Sequence, residues 1–483
     1  MKKLVTAFTT VAVIGSASYA VAQNQLETTL DLVVRGMMDD GAEVSYDERI
    51  IGADGSVEYI DLIIAAPDDE FTLSMDWLKG VPSGSDVTFT VPDTIDVSGR
   101  AEGVDFSFEI QTAAFELSTN GLLREAMSTE DVTVTFSADA FVVDGGEPES
   151  DTLREIFVDL GAIDFDLLVS TENMFVKGGF VAEKMDMAYD YTIDGDSQDV
   201  EQTTDGTTLS FEFDIPADEE DALGYFDGSK SAMVKMYSGV SEFVMSVDAD
   251  GIALDMEGTS GDGSILLEVV DGNITYDVNA DGFDMVVSPG PGLPIPPVEI
   301  GMGEMAMKLL IPAGAVDAPA EMVVDILFAD LVVGEGLWSM IDPGKTISRD
   351  PAQLDIDIEA LVQLDAMAAV AGEDPTSAAT IHSLDINQVL LSVAGASIQV
   401  DGAATFDNSG PIPMPLGGVN IDMRGISTLA NQLVALGLLD QMQAGMAMGM
   451  MMAFAQPGDE ADQFISEITF SENGILANGQ QIR

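Results

Sequence analysis

The sequence predicts a mainly β protein of the α+β class. It reads as one long antiparallel meander forming a folded-over sheet, a sandwich or an open barrel, with a few helices. Three observations predict this: apolar and polar residues alternate along many runs, Asp-Gly pairs separate those runs, and stretches of helical periodicity are few.

Taken in chain order, the first element is a leader. Lys2 and Lys3 precede the apolar or neutral run from Leu4 to Gly15, and Ala20-Val21-Ala22 supplies an A-x-A site before Gln23. Cleavage is expected between Ala22 and Gln23, with cleavage after Ala20 as the alternative. The run is too short to span a bilayer, which takes about 20 apolar residues. A soluble protein exported to the periplasm or cell envelope of a Gram-negative bacterium is therefore expected. Next, Leu26, Leu30, Val33 and Met37 share one stripe, which predicts a helix over Gln25 to Met38.

The strands follow. Val132 to Ser137, Leu209 to Ile215 and Leu354 to Glu359 each put apolar side chains on one face and hydroxyls or carboxylates on the other. That pattern suits antiparallel strands with one dry face and one solvated face. Asp-Gly pairs at Asp54, Asp144, Asp205, Asp262, Asp271, Asp281 and Asp401, among others, read as hairpin turns, because both central residues of a type I′ turn need positive φ. A short helix is expected over Leu337 to Ile341, ended by Asp342-Pro343. A C-terminal helix pair follows: the first is capped by Ser427 or Thr428 and ended by Gly437, and the second runs from about Asp440 to Ala455. A final hairpin pairs Ile465 to Phe470 with Ile475 to Ile482. The stiff Pro-rich stretch from Ser288 to Val298 marks the main boundary. The expected division is thus residues 1–22 as signal peptide, 23–290 as an N-terminal β-rich sub-domain, and 291–483 as a C-terminal β sub-domain with the helix pair.

Composition narrows the function classes. The formal net charge is −68, which repels nucleic acid and anionic headgroups, so no nucleic-acid partner is expected. Adaptation of the surface to a salty habitat is the plain reading of that charge. There is no Cys, so the fold relies on packing, and a hydrophobic content of 46% is ample for that. No transmembrane segment is expected in the mature chain, since the uncharged run from Gln441 to Gln456 is too short.

Several motifs resemble a known family. Leu337-Trp338-x-x-x-Asp342-Pro343, followed by Arg349-Asp350-Pro351 at the head of an alternating strand, is similar to the alphaproteobacterial domain-of-unknown-function family numbered 2125. The paired helices around Leu436-Gly437-Leu438-Leu439, the Gln456-Pro457-Gly458-Asp459 turn and the Asn478-Gly479-Gln480 turn look similar too. The likeness is best from about Val323 to the end. It implies an envelope protein built from a long β meander, loosely similar to AsmA-like proteins of lipid transport, and it implies no activity.

Residues able to carry chemistry are sparse. His382 is the sole His and reads as a strand residue, so neither a Ser-His-Asp triad nor a His-based zinc site is supported. No catalytic or cofactor-binding residue is assigned, and the balance leans away from an enzyme. Calcium is the one cofactor candidate. Asp277-x-Asn279-x-Asp281-Gly282 matches the opening of a calcium loop, but Ser288 stands where a closing Glu belongs. Asp190-x-Thr192-x-Asp194-Gly195 matches the length, with Glu201 twelfth and Thr at the third position. The plain reading of both is a hairpin turn with acidic flanks.

The methionines around Met442, Met446 and Met450 admit three readings: packing against the sheet, which leads, an acyl-chain-binding surface, or Cu(I) ligation. Three functions stay open. The first is a non-catalytic envelope protein that holds or passes lipid or another apolar ligand. The second is a structural or adhesive envelope protein stabilised by divalent cations. The third is a hydrolase using acidic residues.

Overall fold

The computed structural model describes residues 43–482 except 67–70, 84–85, 102–103, 121–130, 147–152, 171, 194–195, 218–222, 250, 291–292, 294, 315–317, 365–378 and 411–412. The leader and the helix expected over Gln25 to Met38 lie outside the described residues. The chain is mainly β, and every pairing whose register is described is antiparallel. It forms two compact units. The first holds residues up to 215 with 236–256 and 290–292, and the second holds 216–235, 257–289 and 293–483.

In the first unit, β1 (Glu43–Ser45) and β2 (Glu48–Ile51) share one edge of β3 (Val57–Ala65), whose other edge takes β4 (Phe71–Ser83). From β4 the sheet runs as two ladders. One passes through β5 (Asp86–Thr90), β8 (Glu116–Thr119), β9 (Val132–Ala138) and β12 (Ile163–Ser170). The other passes through β6 (Thr94–Ala101), β7 (Val104–Ala113), β10 (Ala140–Gly145) and β11 (Leu153–Asp159). Both end on β13 (Phe175–Ile193), which takes β12 along residues 175–182 and β11 along 186–191. Then β14 (Asp196–Asp214) pairs with all of β13 and with β16 (Ser241–Ala249).

The two ladders are halves of the same long strands, each turning a corner. The corner lies at Asp93 between β5 and β6, Ala114 between β7 and β8, Asp139 between β9 and β10, and Gly161 between β11 and β12. Backbone hydrogen bonds continue across it: Thr112 N–H donates to Asp93 (2.7 Å), Asp139 N–H to Ala113 (2.8 Å) and Phe141 N–H to Gly161 (3.0 Å). Asp61, Ala114, Gly161 and Gly206 supply the left-handed φ angles that such a bend uses. Packing joins both sides of the bend. Val44, Leu62 and Met75 lie beyond Asp61, and they share one core with Val57, Tyr59, Val87, Phe89 and Leu117. An aromatic row crosses that face in register, Phe89–Leu117–Phe136–Phe165–Phe180, with Phe136 and Phe165 stacked at 4.9 Å. The expected long antiparallel meander is thus present in this unit as a paired sheet interrupted at these positions.

Between these segments the chain forms α1 (Gly224–Asp227), β15 (Ala232–Ser238) and β17 (Ile252–Ser260). The second unit then repeats the antiparallel plan. Its paired series is β18 (Gly263–Val270), β19 (Asn273–Ala280), β22 (Glu304–Ile311), β23 (Ala320–Val333), β24 (Ala352–Leu364), β25 (Ala379–Val393), β26 (Ala396–Asp407), β27 (Met414–Arg424) and β29 (Gln463–Ser471). The pair β20 (Phe283–Pro289) and β21 (Val298–Met302) adds to β23. At the C-terminus β28 (Gln456–Pro457) and β30 (Gly474–Ala477) border β29, and β31 (Gln480–Gln481) borders β30. The final hairpin is therefore shorter than expected, pairing residues 468–471 with 474–477. Corners recur within this unit: Gly261 N–H donates to Gly282 (3.0 Å), Asp281 N–H to Asp262 (2.8 Å) and Gly303 N–H to Ala329 (3.0 Å).

The Asp-Gly reading needs correction. Asp54-Gly55 and Asp271-Gly272 do sit in hairpin turns. Asp205-Gly206 instead makes a corner within β14, Asp262-Gly263 and Asp281-Gly282 make corners between strands, Asp144-Gly145 ends β10 and Asp401-Gly402 lies inside β26. Positive φ suits a bulge-like bend as well as a turn, and the paired neighbours decide which forms.

The helices hold their expected places: α2 (Glu335–Ile341), α3 (Ile426–Ala435) and α4 (Gln441–Phe454). The cap of α3 is not Ser427 or Thr428. Gly425 is the N-cap, and the Asp462 carboxylate accepts the N–H groups of Ser427 (3.2 Å) and Thr428 (2.8 Å). Burial raises the Asp462 pKa, but those hydrogen bonds outweigh it and hold the group below the ordinary range. Gly437 closes the helix at positive φ, and Asp440 caps α4 by accepting from Met442 N–H (2.7 Å).

Candidate functional site

Strand alternation and register give the second unit one continuous apolar face. Three rows cross it from β19 to β29 in register. The first is Ala280–Met305–Phe328–Leu354–Leu391–Ile398–Met423–Phe464. The second is Val278–Met307–Ile326–Ile356–Val389–Val400–Ile421–Ser466, and the third is Tyr276–Leu309–Val324–Ile358–Ile386–Gly402–Val419–Ile468. The opposite face carries the charge, with Asp277, Lys308, Asp325 and Asp357 facing one another across four strands. Burial raises the Asp325 pKa, and repulsion from Asp357 and Asp355 adds to it.

The apolar face is incompletely covered. Its rows are half-buried throughout, except that Leu391 is exposed and Ser466 is buried. Among the described residues of this unit, the apolar side chains reaching full burial are alanines, Pro312, Ile347 and Val362. The first unit differs, since Tyr59, Leu62, Val87 and Phe89 are fully enclosed. Large side chains left partly in water forgo part of the roughly 25 cal/mol per Å² that burial returns.

Helix α4 extends the exposed apolar surface. Met442, Met446 and Met450 recur every four residues and are 71%, 58% and 69% exposed. Met452 and Phe454 are exposed as well, and only Ala444 is buried within the helix. Ala444 is therefore the position of α4 that the fold covers, with Met448 and Met451 half-buried, and the Met442–Met446–Met450 stripe is left uncovered. The end of the helix is anchored beside the apolar rows: Ser466 Oγ donates to the Phe454 carbonyl (2.6 Å), and Asn478 Nδ2 donates to the same oxygen (2.9 Å).

The Leu-Trp…Asp-Pro…Arg-Asp-Pro motif forms a clamp between α2 and β24. Asp342 is fully buried and accepts from Ile347 N–H and Thr346 Oγ1, both at 2.8 Å. Arg349 donates to the Asp342 carbonyl (2.8 Å) and to both carboxylate oxygens of Glu335 (2.8 and 2.9 Å), with its guanidinium 5.4 Å above the Trp338 ring. Gln432 of α3 joins by donating to the Thr346 carbonyl (2.6 Å). Burial raises the Asp342 pKa, but the Ile347 and Thr346 hydrogen bonds and the Arg349 charge together hold it below the ordinary range. A depressed folded-state pKa gives stability that is present above the unfolded value of about 4 and lost as pH falls through the folded value. Asp342→Asn is accordingly expected to lower the melting temperature at pH 7, with the gap to the parent closing below about pH 4 in a pH series of thermal melts.

The other candidates are not gathered into a site. Asp277 and Asn279 stand on β19, with Asn279 Nδ2 donating to Asp277 Oδ1 (2.6 Å), and Asp281 lies at the corner that follows. An extended strand spaces alternate side chains along its length, whereas a calcium loop coils them round one centre. Asp190 and Thr192 lie on β13, and Glu201 lies on β14 opposite Ala188. No group of three or more His, Cys, Asp or Glu residues among the described residues is placed to hold a metal ion. His382 stands on β25, its Nε2 2.7 Å from Gln363 Oε1 on β24. No helix among the described residues is long and apolar enough to cross a membrane.

Residues 246–475, which carry most of the apolar face, α4 and the clamp, match a family model described as "Uncharacterized protein conserved in bacteria (DUF2125)". No curated protein and no solved structure gives a significant match.

Proposed function

With residues 246–475 matching the DUF2125 family model, we propose that this chain is a non-catalytic, exported envelope protein that holds or passes an acyl chain along the apolar face of its second unit. One observation carries the reading. Three registered rows of mostly large aliphatic and aromatic side chains cross that face, yet they stay partly exposed while the enclosed positions are mostly alanine. A flexible hydrocarbon chain fits such a surface, because it needs apolar area and few fixed polar groups. The leader motif at Ala20-Val21-Ala22 supports the envelope placement, where lipid chains are at hand.

Native mass spectrometry of the protein purified from the envelope tests this reading. The expected spectrum contains adducts with lipid masses, which Ile326→Asp and Ile356→Asp each deplete several-fold by placing a carboxylate among the rows. Phe328→Ala, a milder change, is expected to reduce occupancy in the same direction. A ligand-free parent, or adducts equally abundant in all three folded variants, would remove the reading.

A further inference from the structure

We propose that α4 is a membrane-docking face whose partner is a neutral, zwitterionic lipid bilayer. The segment from Gln441 to Phe454 contains no charged residue, in a chain where 21% of residues are charged. A helix apolar all round is normally buried, and here the fold covers only the stripe at Ala444. Met442, Met446, Met450, Met452 and Phe454 are its large apolar side chains left exposed, beside the uncharged Gln441, Gln443, Ala447 and Ala453, with Leu438 exposed just ahead of the helix. Gly445 and Gly449 sit between the methionines, and a side chain at either would meet nothing within 4 Å, so the surface is open there.

Charge selects the occupant. The helix has no Lys or Arg with which to attract anionic headgroups, and the formal charge of −68 repels an anionic membrane and a second copy alike. A bilayer interface of zwitterionic lipid offers apolar depth without that repulsion. Methionine suits such a contact, since its unbranched thioether adapts to irregular surroundings. Position supports it too: the Phe454 carbonyl is held by Ser466, which occupies one of the apolar rows of β29, so the exposed helix ends where that face ends. The proposal adds to the acyl-chain reading a route from bilayer to face, but vesicle docking is measured separately from cargo.

Flotation of the purified protein with phosphatidylcholine vesicles tests it. The parent is expected to float with the vesicles, and Met446→Glu/Met450→Glu is expected to reduce the bound fraction about tenfold. Both positions are exposed, so the variant should keep its melting temperature. Met446→Ser/Met450→Ser is a second variant without added charge, and it is expected to weaken binding less. Mixing phosphatidylglycerol into the vesicles should weaken parent binding. Failure of the parent to float, unchanged flotation of both variants, or tighter binding to the anionic vesicles would overturn the proposal. So would a lipid-free dimer that Met446→Glu/Met450→Glu converts to monomer, since a second copy would then cover the face. A protein that floats yet carries no acyl chains keeps this proposal and loses the function proposed above, and the converse result does the opposite.

Discussion

Truncating Phe89 to alanine should cost about 3–5 kcal/mol of unfolding free energy, whereas Phe328→Ala should cost less than about 2 kcal/mol. Both are strand phenylalanines in registered apolar rows, so chain chemistry alone predicts equal losses. Their surroundings differ. Phe89 is 3% exposed and packs in an enclosed cluster with Val57, Tyr59, Val87 and Leu117. Removing its ring leaves a cavity that neighbouring strands cannot collapse to fill. Phe328 is half-buried between Met305 and Leu354, so water already reaches part of what truncation would expose. Chemical denaturation of the two single variants, followed by far-ultraviolet circular dichroism, measures the difference. Equal costs would mean that the second unit's apolar face is packed like a core, leaving no surface for an acyl chain. The comparison thus probes, by stability alone, the observation on which the functional reading rests.

The strands of this fold were plain in the sequence because alternation is a local property. Leu354 to Glu359 reads as a strand with an acidic outer face, and it lies within β24 with Leu354, Ile356 and Ile358 in the apolar rows. The helix stops at Asp342-Pro343 and Gly437 were legible for the same reason. Features supplied by distant partners were not. Asp462 caps α3 from 34 residues beyond Thr428, and no local pattern marks it. Conversely, the type I′-like turn at Ala394-Gly395 lacks the usual Asn or Asp signal, yet both residues adopt positive φ. The Met442–Met446–Met450 spacing was visible, but its exposure was not. A helix with apolar residues on every side gives no sequence cue to which face the fold will cover, and of its three alanines only Ala444 is buried.

Substituting the corner glycines should separate the two physical demands that a bend makes. A methyl group on Gly239 would fall on the carbonyl oxygen of Asp205, and one on Gly261 would fall on the carbonyl oxygen of Asp281. Neither glycine has positive φ, so close backbone approach is what requires them. Gly239→Ala and Gly261→Ala are each expected to cost at least about 3 kcal/mol, because relief means moving a paired strand. Gly206 makes the opposite case. Its φ is +65°, but a methyl there would meet only carbonyl oxygens at 3.6 and 3.8 Å, which is ordinary contact. Gly206→Ala should therefore cost only the left-handed penalty, about 1–2 kcal/mol. Thermal and chemical denaturation of the three variants would rank them. Similar small losses at all three would mean that the strands can straighten or slide at the corner, so the bend would not be fixed by backbone contact. The predicted ranking would instead make the bend a rigid feature of the backbone, since the Gly239 and Gly206 corner is tied by hydrogen bonds in both directions: Gly239 N–H to Gly206 and Asp205 N–H to Val240. In the second unit, a rigid bend at Gly261 would let the apolar face stay open to a ligand without collapsing on itself, as burial of its partly exposed rows would otherwise favour.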